Sequence, residues 1–256
     1  MPVRKLKPRF LEKEWGATRL TPWFPDAPSK IGEVWFEGSP EVPLLVKFLF
    51  TTGKLSVQVH PQDDYAEKHH KSRGKTEMWH ILAAEPGAKI AAGFREPCSE
   101  EQARSAALSG EIEQHLEWFD ANPGDTFFIP AGTVHAIGAG LALCEIQQHS
   151  DVTYRLYDYG RPRKLHLEHG FNVSKLERHD ARKRLPVSCP YFVTEQLHPG
   201  DFELSTGGPQ LLIAIEGRGS VEGQPLCAGE VLAVQPADEP VKIRGELKLL
   251  RTFVPG

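Results

Sequence analysis

The sequence predicts an all-β protein with two small β-barrels, the first interrupted by a short helical excursion. Three observations carry that expectation. Short apolar runs recur along the whole chain, punctuated by 23 Gly and 21 Pro, which is the pattern of strands joined by turns. Several of these runs alternate polar and apolar residues with period two. A weak internal repeat is also present: Leu211–Gly219 and Ala228–Pro236 resemble the earlier pair Met78–Gly87 and Pro123–Pro130. With 256 residues the chain can bury a sizeable core, as one large β domain or two small ones.

Taken in order, residues 1–30 hold few strand signals and several prolines, and read as an irregular arm with Trp15 as a packing anchor. Residues 31–38 and 43–50 read as the first two strands, the second nearly all apolar and therefore buried on both faces. Gly53 turns the chain into a strand over Ser56–His60. Residues 61–75 read as a short helix and a loop, with Asp63 as a cap. A strand starts at Thr76, and another covers Ala88–Phe94. Residues 99–119 form the clearest helix. Ser99 with Gln102 is a capping-box pattern, and Gly110 splits the segment, leaving Ile112, Leu116 and Phe119 on one stripe. Thr126–Ile129, a strand carrying His135, Leu141–Gln147 and Asp151–Asp158 follow as strands. The expected division is an arm plus first barrel over 1–172, a charged linker over 173–190 and a small second β-domain over 191–256.

Composition excludes several classes. A formal charge of −4 gives no basic field for nucleic acid. No apolar run approaches the roughly 20 residues of a membrane helix, and Met1–Phe10 lacks the apolar core of a signal peptide. Cys98, Cys144, Cys189 and Cys227 are widely spaced with no C-x-x-C, which reads as reduced thiols in a cytoplasmic protein. The expected partner is a small molecule, with no nucleic acid and no membrane, for a monomer or homodimer.

The chemistry-bearing residues fall in three stretches. Gln58 and His60 are two apart, so on a strand they share a face with Ser56, while Val57 and Val59 point the other way. Lys75, Glu77 and Trp79 share a face by the same rule; a Lys and a Glu aimed into an apolar barrel are costly unless paired or used. Gly124 to His135 spells G-x5-P-x-G-x2-H, which sets one imidazole at the start of a strand just past a rigid turn. His69 with His70, and His166 with His169, read as surface histidines outside the barrel strands. His80 is out of phase with Glu77.

The G-x5-P-x-G-x2-H stretch resembles the second sequence motif of cupins. Ser-x-Gln-x-His-Pro at 56–61, Lys-Thr-Glu-Met-Trp at 75–79, Ile-Pro-Ala-Gly-Thr-Val-His-Ala at 129–136, an E-I strand at Glu145 and a Y-R strand at Arg155 are together similar to type I mannose-6-phosphate isomerases in their short bacterial form. Trp15-Gly16-Ala17-Thr18-Arg19-Leu20 resembles the W-G-G-T-x-L opening of that group. The resemblance implies two cupin-type jelly-roll barrels, the second metal-free, and one zinc ion bound by Gln58, His60, Glu77 and His135. It implies that Ser56 and Lys75 line a sugar-phosphate pocket, and that Glu145 and Arg155 stand at its catalytic end. The segment after Arg155 departs from the family's A-G-L-T-P-K: it reads Leu156-Tyr157-Asp158-Tyr159-Gly160-Arg161-Pro162, with Arg161 in place of a lysine.

One amide oxygen, two imidazoles and one carboxylate suit zinc, and also manganese, cobalt, iron or nickel. Such a site can polarise a carbonyl. Aldose–ketose interconversion through a cis-enediol needs a base, a stabiliser of enediolate charge and a grip on phosphate. Arg155 suits the charge, Lys75 and Arg161 the phosphate, and Glu145 the base, with metal-bound water, Lys75 and His80 as competitors for that last role. Two other readings stand beside the isomerase. One is a cupin that binds a sugar or sugar phosphate without turnover. The other is a cupin oxygenase, against which the glutamine in place of a histidine counts.

Overall fold

The structure is a computed structural model and describes residues 3–38 and 42–255. Strands β1 (Val3–Lys5), β2 (Arg9–Ala17), β3 (Ile31–Glu37), β4 (Leu44–Thr51) and β5 (Val57–Val59) precede helix α1 (Asp63–His70). Then come β6 (Glu77–Ala84), β7 (Lys89–Phe94), α2 (Glu100–Ser109), α3 (Ile112–His115), β8 (Leu116–Asp120), β9 (Thr126–Ile129), β10 (His135–Ile137), β11 (Leu141–Gln148), β12 (Tyr154–Tyr157) and α4 (Leu167–Val173). The chain ends with β13 (Arg182–Lys183), β14 (Val187–Ser188), β15 (Val193–Leu197), β16 (Phe202–Leu204), β17 (Gln210–Val221), β18 (Gln224–Cys227), β19 (Val231–Val234) and β20 (Val241–Phe253). The all-β expectation holds: strand pairs in both units are antiparallel, beside one isolated parallel bridge between Thr133 and Lys175.

Two compact units form: residues 1–49 with 184–256, and residues 50–183. This grouping cuts the chain differently from the division read in the sequence, because β1 pairs with β19 and so adds the N-terminus to the C-terminal sheet. In the first unit β2, β3 and β4 pair in order, and a larger sheet runs β1-β19-β17-β20-β15-β14. Leu212, Leu232, Val234, Ile243 and Leu249 form part of its buried core. The arm is less irregular than its sequence suggests. β2 is nine residues long, but most of its side chains are exposed or half-buried, so polar residues mask the strand.

The second unit holds two sheets, β12-β5-β10-β7-β8 and the run β13-β9-β6-β11. Helix α2 has the expected capping box: Ser99 Oγ accepts from Gln102 N–H and Gln102 Oε1 accepts from Ser99 N–H. The stripe after Gly110 is not one helix. α3 stops at His115, and Leu116–Asp120 pairs with β7 as a strand, which suits the aromatic Trp118 and Phe119. Asp63 does not cap α1. It lies inside the helix, and its carboxylate accepts from Gly74 N–H and Gln148 Nε2 instead.

The five-stranded sheet shows how the site is aimed. Val57, Val59, Tyr154 and Leu156 bury one face against Ala103, Ala106 and Ala107 of α2 and Phe171 of α4. Gly170 permits this packing, since a Cβ there would meet Leu156 Cδ2 at 2.4 Å. Each buried Val, Leu or Phe contributes about 1.5–3 kcal/mol. A slip of one residue would expose this set and turn Gln58 away from the interior, so core packing fixes the register.

Candidate metal centre

The second unit's two sheets face each other across Gln58, His60, Lys75, Glu77, His135 and Glu145. β5 lies between β12 and β10, with Gln58 opposite both His135 and Arg155. Directly opposed residues share a face, so this row points inward. From the other sheet, Glu77 opens β6 opposite Gln147, and Glu145 on β11 lies opposite Trp79.

The turn before His135 ties these pieces together. Gly132 sits at φ 90°, where a side chain is strained. Its N–H donates to the His60 carbonyl at 2.8 Å. The neighbouring Ala131 N–H donates to Thr76 Oγ1 at 3.1 Å, between Lys75 and Glu77. Lys75 N–H in turn donates to the Pro61 carbonyl at 3.1 Å. One rigid turn thereby holds the segments that carry His60, Glu77 and His135, which is why a Pro-x-Gly precedes the histidine.

The imidazoles are oriented by the backbone. His60 Nδ1 lies 3.0 Å from the Val152 carbonyl and His135 Nδ1 2.9 Å from the Thr133 carbonyl. A carbonyl only accepts, so each Nδ1 carries the hydrogen and each Nε2 presents a lone pair inward. Those lone pairs face a carboxylate. His60 Nε2 is 3.5 Å from Glu77 Oε2, and His135 Nε2 is 3.5 Å from Glu77 Oε1. Burial is the main cause that lowers the His135 pKa to about 4, so the ring is neutral near pH 7. Inward-facing acceptors of this kind need a cation between them, and their ligand atoms all lie within 4.8 Å of one another.

Lys75 supplies one cation. Its ammonium is 3.0 Å from His60 Nε2, bonds Glu77 Oε2, and lies 3.8 Å from Glu145 Oε1. All three charged side chains are buried: Lys75 is 3% exposed, Glu77 0% and Glu145 4%. Two carboxylates against one ammonium leave a formal charge of −1, which a dication would turn to +1. The donor set therefore fits a divalent metal. Gln58 Nε2 lies 3.3 Å from His135 Nε2, and Gln58 Oε1 accepts from Ser56 Oγ at 3.2 Å. A half-turn of the amide puts Oε1 toward His135 and lets Nε2 donate to Ser56, so the oxygen is available to a metal.

Glu145 Oε2 accepts from Trp79 Nε1 at 3.0 Å, which fixes the carboxylate beside Lys75. His80 lies one residue out of phase, opposite Thr126 in β9, and its Nδ1 is 2.9 Å from Thr126 Oγ1. Arg155 and Arg161 are brought together by a residue the sequence reading passed over. Asp158, 2% exposed, lies 3.7 Å from Arg155 Nε, 2.7 Å from an Arg161 terminal nitrogen, and within 2.5–2.6 Å of two Arg163 nitrogens. Burial first, then Arg163, lowers the Arg155 pKa, and Asp158 opposes the shift. Three arginines within five residues of one aspartate were the available signal. The four cysteines are free, and among the described residues no helix is long and apolar enough to cross a membrane.

The fold and this buried set define a cupin-type β-barrel with a metal-capable His–Glu–His centre. The chain belongs to the mannose-6-phosphate isomerase family. It is 34% identical to mannose-6-phosphate isomerase ManA of Bacillus subtilis, a match covering 83% of this chain and 85% of the relative. It is 33% identical to the mannose-6-phosphate isomerase of Streptococcus mutans, covering 81% and 73%. The crystal structure of a Bacillus subtilis mannose 6-phosphate isomerase superposes with a TM-score of 0.89 at 28% identity over 99% of this chain and all of that one. No family model matches the chain.

Proposed function

We propose that this chain interconverts mannose 6-phosphate and fructose 6-phosphate, with zinc held by Gln58, His60, Glu77 and His135. The observation that carries the reading is the pair of neutral imidazoles facing a buried glutamate beside Lys75, in a chain of this family. The zinc would polarise the substrate carbonyl as a Lewis acid. In the forward direction a base removes the proton on C2, giving a cis-enediol. That proton is returned to C1, while a proton passes from O2 to O1, so atoms balance. Glu145 is our assignment for the base: it is buried, held by Trp79, and within ion-pair reach of Lys75. Lys75 moves the hydroxyl proton and, with Ser56 and Arg161, binds substrate. Arg155 stabilises charge on the enediolate.

The test is a coupled assay for fructose 6-phosphate formed from mannose 6-phosphate, on protein of known metal content. Turnover should vanish with a chelator and return best with zinc. Fully metal-loaded protein without turnover would overturn the assignment, and restoration by iron but not zinc would overturn the metal.

A further inference from the structure

The segment after Arg155 folds into a compact charged cluster around Asp158. Arg161 N–H donates to the Asp158 carbonyl at 3.0 Å, closing a tight turn over Tyr159 and Gly160. Both turn residues have positive φ, 53° and 76°. A tyrosine in that region is strained, and such strain persists only where surrounding contacts over-determine it. Those contacts converge on Asp158. Arg163 donates to both carboxylate oxygens, Arg161 adds a third contact at 2.7 Å, and Arg161 Nε also donates to the Asp158 carbonyl at 3.2 Å.

The cluster is lopsided in charge and in exposure. Three guanidiniums against one carboxylate leave a formal charge of +2. The Asp158 side chain is 2% exposed, whereas those of Arg155, Arg161 and Arg163 are 18%, 19% and 35% exposed. The anion is inside, and the arginine side chains around it keep partial exposure. The cluster also borders the site. Arg155 is the register partner of Gln58, and an Arg161 terminal nitrogen donates at 3.0 Å to the carbonyl of Lys54, two residues before Ser56.

We propose that Asp158 is a positioning residue, which holds Arg161 and Arg163 beside Arg155 as an anion-receiving edge of the pocket for the substrate's phosphate. The inference rests on the isomerase reading above. Planar guanidiniums suit a phosphate bidentately, but only when their forks are held. With Asp158 neutral, three like charges repel and the forks lose their common acceptor, while the metal ligands are untouched.

The experiment compares wild type, Asp158→Asn, Asp158→Glu and Arg163→Ala. It measures metal content, KM and kcat for mannose 6-phosphate, and direct titration with inorganic phosphate. D158N should keep its metal, raise KM and weaken phosphate binding by about tenfold or more, with D158E recovering part of both. KM and phosphate affinity within about twofold of wild type, or a fall in kcat alone, would overturn the role. Should D158N not fold, R163A carries the test, with the same expected rise and the same overturning result. Phosphate titration needs no turnover. An inactive metal-loaded wild type therefore sinks the isomerase reading, and unchanged phosphate affinity in the variants sinks the positioning role.

Discussion

Two groups of histidines share the second unit, and they behave differently. His60 and His135 are buried, their Nδ1 hydrogens are spent on backbone carbonyls, and their Nε2 lone pairs meet at Glu77. His69, His70, His166 and His169 gather around Tyr65 and Tyr154. His169 stacks on Tyr154 with Nδ1 2.9 Å from the Tyr65 hydroxyl, and His70 Nε2 lies 2.6 Å from the Tyr154 hydroxyl. The second group is the more numerous, yet among the described residues only the first offers a metal-ligand set. A centre is made by a shared carboxylate and fixed tautomers, not by a count of imidazoles.

The largest effect separating the groups is expected at His135. His135→Ala removes a lone pair that the turn at Gly132 exists to aim. Metal affinity should fall roughly 100-fold or more, and isomerase turnover with it. Metal analysis of the purified variant checks this; retention of both metal and activity would dissolve the centre described here.

A medium effect follows from burial. The His135 pKa is lowered to about 4 from an ordinary 6.5. Between those values the unfolded chain binds more protons than the folded one, so stability rises with pH across that window and falls on acidification. The metal-free protein should lose about 2 kcal/mol between pH 7 and pH 5 from this residue alone. The reading is the pH slope of the denaturant midpoint, chelated wild type against chelated His135→Gln. Equal slopes would mean that His135 titrates as an ordinary histidine in the fold.

The contrast also explains what was legible. Period two put Gln58 with His60 and Lys75 with Glu77, and G-x5-P-x-G-x2-H marked the turn, because strand geometry and turn chemistry are local. The reasons those side chains converge are not local: Gly132 N–H reaches the His60 carbonyl and Ala131 N–H reaches Thr76 Oγ1 across the unit. β2 hid behind its polar exposed residues, and β8 behind a helical stripe that Leu116 and Phe119 fit equally well as strand residues. Asp158 reads in sequence as the last residue of a strand, whereas β12 ends at Tyr157, and only the fold shows Asp158 buried among three arginines.

The smallest effect belongs to the outer group. The exposed His69 is lowered in pKa by partial desolvation and by its neighbours Lys68, His169 and His70, so like charges already disfavour its protonation. That crowding tunes a surface, and nothing in it faces a carboxylate as His60 and His135 face Glu77. His169→Ala removes one hydrogen bond to Tyr65 and one stack on Tyr154, and should cost about 1 kcal/mol of stability. Its bound metal should match wild type, because no ligand of the inner set touches that ring. A variant that lost metal in step with His135→Ala would join the two groups into one centre, and the distinction between inner and outer histidines would then carry no functional meaning.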